Sequence, residues 1–204
     1  MSFLQTIEHE YINAINTFSN INEHIDELYS LAMDCESVSE LVRRPTPSTI
    51  AFLKSNAKFN SYNPIIHDFN WEHNIILRYR ELFGMAQKTG KDVTLHEVNP
   101  NNQQAIDMEP ADLMFFAPWC SNQVLSQVLN RNGMNAKKFL VFHNTHVYGV
   151  IDEKIDWQSF ANTKHLPNEG IIQPIVHFVM NNPCWKFKTF KSNNNGLIVL
   201  ERTP

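Results

Sequence analysis

Cysteine is scarce in this chain. Cys35, Cys120 and Cys184 are the only three in 204 residues, they lie far apart, and no Cys-x-x-Cys occurs. An odd, scattered set of this kind does not build a disulfide framework and points to a reduced, intracellular (cytoplasmic) protein. Positive charge is also in short supply. The 17 Lys and Arg are outnumbered by 21 Asp and Glu, for a net charge of -4, and no long basic run occurs. Nonspecific nucleic-acid binding through phosphate contacts is therefore not favoured. No apolar run approaches the roughly 18 residues that span a bilayer, so no membrane segment is expected. The opening stretch MSFLQTIEHEYINAINTF lacks a basic region followed by an apolar one, and is not expected to act as a secretory leader. Internal repeats and low-complexity linkers are missing too.

What is present suits a packed interior. The hydrophobic fraction is 43%, with 14 Phe. The length fits a single domain over 1–204 with a good core. Residues 1–34 read as N-terminal helices. Ile7, Tyr11, Ile15 and Phe18 recur at helical spacing, as do Ile21, Ile25, Leu28 and Leu31, with Asn20 or Asn22 as cap of the second helix. Ser48 or Thr49 is the expected N-cap of a helix carrying Ile50–Leu53. The asparagines at 193–195 are ascribed to base composition.

Short apolar runs that end in small or polar residues are the mark of buried parallel strands. They occur at Val38–Leu41, Phe59–Tyr62, Asp92–Glu97, Asp112–Phe116 and Lys138–His143. Helices are expected over Trp71–Gln87, closed by Gly90, over Asn122–Leu129, and over Gly170–Met180. Residues 146–168 have weak periodicity and read as an insertion or lid. The strands Trp185–Lys191 and Leu197–Glu201 flank an Asn-Gly turn signal. The expected fold is α/β: a doubly wound, mostly parallel sheet with an antiparallel C-terminal hairpin and N-terminal helices. In such sheets ligands bind beyond the carboxyl ends of the strands.

Four segments then carry a resemblance. They are Ser39–Thr49 (SELVRRPTPST), Asp112–Cys120 (DLMFFAPWC), Phe142–Thr145 (FHNT) and the stretch from Trp185 through Asn194–Arg202 (NNGLIVLER). Together they resemble class I S-adenosylmethionine-dependent methyltransferases, in the cephalosporin-hydroxylase and macrocin-O-methyltransferase branch, over roughly residues 20–202. The resemblance implies a Rossmann-like methyltransferase fold that binds S-adenosylmethionine. On that reading Glu40, Asn63 and Glu97 are expected to hold the cofactor, Ser48 and Thr49 to present a helix N-terminus to it, and Tyr62 is a further cofactor-binding candidate. The departures are equally specific. Val42 stands where the branch has a glycine that lets the backbone approach the cofactor. Asn63, Asn99, Ala117 and Asn144 stand where it has carboxylates, and Cys120 where it has His.

Ala117 offers a hard divalent ion no ligand and Asn144 only a neutral carbonyl, so no metal is expected. Two readings follow. In the first, the protein methylates a small hydroxylated or amine substrate without a metal, with His143 or His96 as general base. In the second, it is a catalytically inactive domain of the same fold that serves as a binding or structural module for a protein partner. Plainer alternatives stand beside each assignment. Glu40 could pair with Arg43 or Arg44, Trp119 could be packing, and Tyr62 could be a core residue with a tethered hydroxyl. A soft-ligand zinc site from His96, Cys120, His143 and His146 would suit the residue types, but no tight ligand spacing supports it.

Overall fold

The computed structural model describes residues 2–42, 46–64, 70–99, 105–117, 121–151 and 170–203. The expected loop residues Arg43, Arg44 and Pro45, the pair Trp119 and Cys120, and most of the expected lid lie outside them.

A central sheet of seven strands organises the chain. In sequence order they are β1 (Ser37–Val42), β2 (Lys58–Pro64), β3 (Val93–Val98), β4 (Ala111–Ala117), β5 (Ala136–His143), β6 (Trp185–Lys191) and β7 (Leu197–Arg202). Their order across the sheet is β3-β2-β1-β4-β5-β7-β6. The first five pair in parallel, and β7 pairs antiparallel to both β5 and β6. The expected doubly wound sheet with an antiparallel hairpin at one edge is therefore what forms.

Strand periodicity divides the interior in two. On one face Val38, Phe59, Phe115, Val141 and Val199 meet α1 (Phe3–Asn16), α2 (Ile25–Met33), α3 (Pro47–Lys54) and α4 (Asn70–Lys88). On the other, Leu41, Tyr62, Phe116, Phe142 and Ile198 meet α5 (Asn122–Asn132) and, beyond a short α6 (Val147–Val150), α7 (Ile172–Asn181). Strand β4 is buried along its whole length, as its unbroken apolar run requires. Gly90 ends α4 at φ +83°, a left-handed conformation that costs glycine little.

Two expected caps differ. Helix α3 starts at Pro47, with Thr46 as an N-cap that makes no side-chain capping bond. Proline suits a first helical position because its missing N–H has no partner there anyway. Ser48 and Thr49 thus sit inside the first turn. Before α2, Asn22 opens a 3-10 turn (Asn22–His24), and His24 occupies the N-cap without a side-chain bond. The Asn22 side chain instead accepts from the Ser19 N–H at 3.2 Å and donates to the Ile15 carbonyl at 3.2 Å, bracing the corner between α1 and α2.

Candidate active site

The carboxyl ends of β1 and β2 hold a buried polar cluster. Glu40 lies opposite Ser61 in the parallel register, and its side chain is wholly buried. Its Oε1 accepts from Thr49 Oγ1 at 2.7 Å and from Ser61 Oγ at 2.5 Å. Two residues along β2, on the same face, Asn63 Nδ2 donates to Ser61 Oγ. Thr46 and Ser48 hydroxyls pair at the start of α3. The α3 start explains itself here: the first-turn hydroxyl of Thr49 is turned toward a carboxylate and is not free to cap.

Burial pushes the Glu40 carboxyl up to about 7, although the hydroxyls of Ser61 and Thr49 and the side chains of Asn63 and Ser48 pull the other way. Tyr79 of α4 faces the same cluster. Burial raises its phenol, and the neighbouring Glu40 charge raises it further. Among the described residues, Glu40 Oε2 and Asn63 Oδ1 are buried with no hydrogen-bond partner. Two orphaned acceptors in one buried cluster are costly unless a donor reaches them.

Glu97 lies opposite Asn63 on β3, at the margin of this cluster, and is ion-paired to Arg80 of α4. Glu97 is exposed, while Glu40, Ser48, Thr49 and Asn63 are brought together in the interior. Tyr62 is not. It belongs to the opposite face, where its Oη accepts from the Glu109 N–H at 3.0 Å. The alternation of side chains along a strand separates it from Asn63. His96 stacks on the Tyr62 ring, with centroids 4.3 Å apart and planes 6° from parallel, and its Nε2 lies 3.4 Å from Asn60 Oδ1. Burial lowers its basicity.

His143 ends β5, four strand positions from β3 and so roughly 19 Å from His96 across the sheet. Only 3% of it is exposed, and its Nε2 lies 2.8 Å from the Asn20 carbonyl. Burial drives its pKa down to about 4. Neither histidine expected as general base sits in the Glu40 cluster, and His143 is buried against the Asn20 carbonyl. Ala117 faces Val42 across β1 and β4, both buried. Asn144 takes φ +64°, a left-handed conformation that asparagine tolerates, and its Oδ1 accepts from Asn195 Nδ2 at 3.4 Å. Among the described residues no group of three or more His, Cys, Asp or Glu is placed to hold a metal ion.

Ser61 and Tyr79 are the site residues that sequence reading missed. Ser61 had a signal: it precedes Asn63 by two on a strand and therefore shares its face. Tyr79 had none, since the seat of α4 on the sheet is a tertiary matter.

The strand order is that of the Rossmann-like methyltransferase fold. Solved structures with the same fold include an SAH-bound methyltransferase of Podospora anserina (TM-score 0.60, 13% identity, 98% of this chain and 88% of that one). A putative caffeoyl-CoA O-methyltransferase of Staphylococcus aureus matches at TM-score 0.60 with 12% identity over 99% and 93% of the two chains. An O-methyltransferase of Bacillus cereus in complex with SAH matches at 0.57 with 14% identity over 98% and 90%. No protein-family model and no curated protein matches the sequence. No helix among the described residues is long and apolar enough to cross a membrane.

Proposed function

We propose that the chain binds S-adenosylmethionine at the carboxyl ends of β1 and β2 and transfers its methyl group to a small hydroxylated or amine-bearing molecule without a metal. One observation carries this reading: Glu40 is fully buried, with one oxygen held by Thr49 and Ser61 and the other left without a donor beside the equally unsatisfied Asn63 Oδ1. The residues fit the cofactor. Ribose hydroxyls and an ammonium group are donors, and what the cluster lacks is donors. The SAH carried by the Podospora and Bacillus proteins, which share the fold, supports the same assignment.

The cofactor supplies an electrophilic methyl on a sulfonium. This chain's residues supply position. Thr49 and Ser61 fix the Glu40 carboxyl, so that Oε2 presents one direction for an incoming donor. Asn63 offers a neutral acceptor, weaker than a carboxylate but already oriented by its bond to Ser61. Transfer between aligned groups gains most from proximity and orientation. The reading therefore does not depend on a histidine base. Ala117 and Asn144, standing where the resembling branch has carboxylates, are the ground for the metal-free form.

Calorimetric titration with S-adenosylmethionine and S-adenosylhomocysteine, with and without Mg²⁺, tests the reading. Saturable binding unchanged by Mg²⁺, and weakened at least tenfold in Glu40→Ala, is the expected result. Absence of heat at millimolar ligand, from protein shown to be folded, overturns it and leaves a binding or structural module of the same fold.

A further inference from the structure

A second polar assembly, half-buried around two buried histidines, lies at the far side of the sheet from β2 and β3, and it joins segments from opposite ends of the chain. The corner between α1 and α2, residues 17–24, packs against the β6–β7 turn, residues 193–196. Asn194 Nδ2 donates to the Ser19 carbonyl at 3.1 Å and to Asn22 Oδ1 at 2.9 Å. Asn193 Nδ2 donates to Glu23 Oε2 at 2.5 Å. The Asn195 carbonyl accepts from the His146 N–H at 2.8 Å, which ties the turn to the segment leaving β5. The asparagine run ascribed to base composition is therefore a fastening.

Two histidines sit inside this fastening. His24 is fully buried, and its Nε2 lies 3.1 Å from the Asn193 carbonyl. His143 is 3% exposed, with its Nε2 on the Asn20 carbonyl. Their rings meet edge to face, with centroids 6.2 Å apart. His24 Nδ1 and Asn194 Oδ1 are both buried without a hydrogen-bond partner among the described residues, so the assembly is packed closely but not fully satisfied.

We propose that the His24–His143 pair makes this junction an acid-released clasp, in which protonation frees the α1–α2 corner from the β6–β7 turn while the central sheet stays folded. The charge inventory around the pair explains the direction. Glu23 and Glu27 favour a charged His24, but Glu23 is taken up by Asn193 and Glu27 by Lys191 at 2.5 Å. Lys191 itself disfavours the charge. Around His143, the carbonyls of Asn20 and Asn194 favour the charged ring, whereas burial and the facing His24 oppose it. Burial is the largest influence on both rings and keeps both neutral near pH 7. Two cations 6.2 Å apart in a buried junction would repel. Swinging the corner and the turn into water relieves that repulsion without opening β1 or β4.

This inference is independent of the cofactor assignment. It is tested on the full chain by amide hydrogen exchange at pH 7.5 and pH 5, corrected for intrinsic exchange rates. The expected result is a loss of protection of tenfold or more at pH 5, confined to residues 17–24, 144–147 and 193–196, with β1 and β4 unchanged. The double variant His24→Gln/His143→Gln is expected to abolish the pH dependence in those segments. Equal protection at the two pH values overturns the proposal. So does a loss spread evenly over the sheet. If the double variant does not fold, the wild-type exchange pattern still decides the question, supplemented by the imidazole titrations. Both rings titrating as solvent-exposed histidines while the corner and turn remain protected would equally overturn it.

Discussion

At the scale of single residues, Glu40 is the most consequential position in the chain. A carboxyl whose folded pKa is raised binds its proton more tightly when folded than when unfolded. Its stabilising contribution is complete below about 4.5 and is lost as pH rises through about 7. A shift of that size corresponds to about 3 kcal/mol. Glu40→Gln keeps the shape and removes the charge. It should raise stability above pH 7 relative to the parent, by up to about 3 kcal/mol, and flatten the dependence between pH 4.5 and 7. Urea unfolding at pH 5 and pH 8 measures this, and equal stabilities of parent and variant at pH 8 would contradict it. The same variant should lose cofactor affinity. A gain in stability joined to a loss of binding is the signature of a strained functional group, which a purely structural glutamate would not give.

At the scale of elements, the strands were legible and the fastenings between them were not. The β4 and β5 runs showed themselves because a strand buried on both faces has no room for polar alternation. The C-terminal hairpin was marked by Asn-Gly. The cap of α3 was misread for a physical reason: Ser48 and Thr49 have the chemistry of caps, but a buried carboxylate from another strand competes for their hydroxyls. Nothing local records that competition. Among the turns, the one carrying Gly196 is tightly constrained. Gly196 takes φ +87°, and a Cβ there would lie 2.5 Å from the His146 nitrogen. Gly196→Ala therefore combines backbone strain with a backbone clash. It should cost at least about 1–3 kcal/mol and lower the melting temperature by several degrees. A melting temperature within a degree of the parent would show that the turn yields more easily than its contacts imply.

For the molecule as a whole, two buried groups bend the pH dependence of stability in opposite directions. Glu40 makes the fold less stable as pH rises through the interval between 4.5 and about 7. His143, whose folded pKa is depressed to about 4 from 6.5, contributes stability above 6.5 that is lost as pH falls toward 4. The two shifts are similar in size, so Glu40 offsets most of the His143 slope between pH 5 and 6.5, while His24 and His96, also lowered by burial, add to the His143 side. Relative to the parent, Glu40→Gln should make the slope with rising pH more positive and His143→Gln more negative. Unfolding midpoints across that range, in all three proteins, check the pair of signs. This balance was not legible in sequence. Glu40 could be placed at a strand end, but its raised pKa depends on complete burial, which no local pattern records. His143 could be named as a candidate base from its chemistry, but its burial under the corner depends on a contact 123 positions away. That corner has a temporal consequence as well. His24 and Asn193 stand 169 positions apart, and closing so long a loop is entropically slow to begin. A chain emerging from the ribosome presents its first corner long before the turn that fastens it exists. Until the β6–β7 turn has been made, its share of the cover over His24 and His143 is missing.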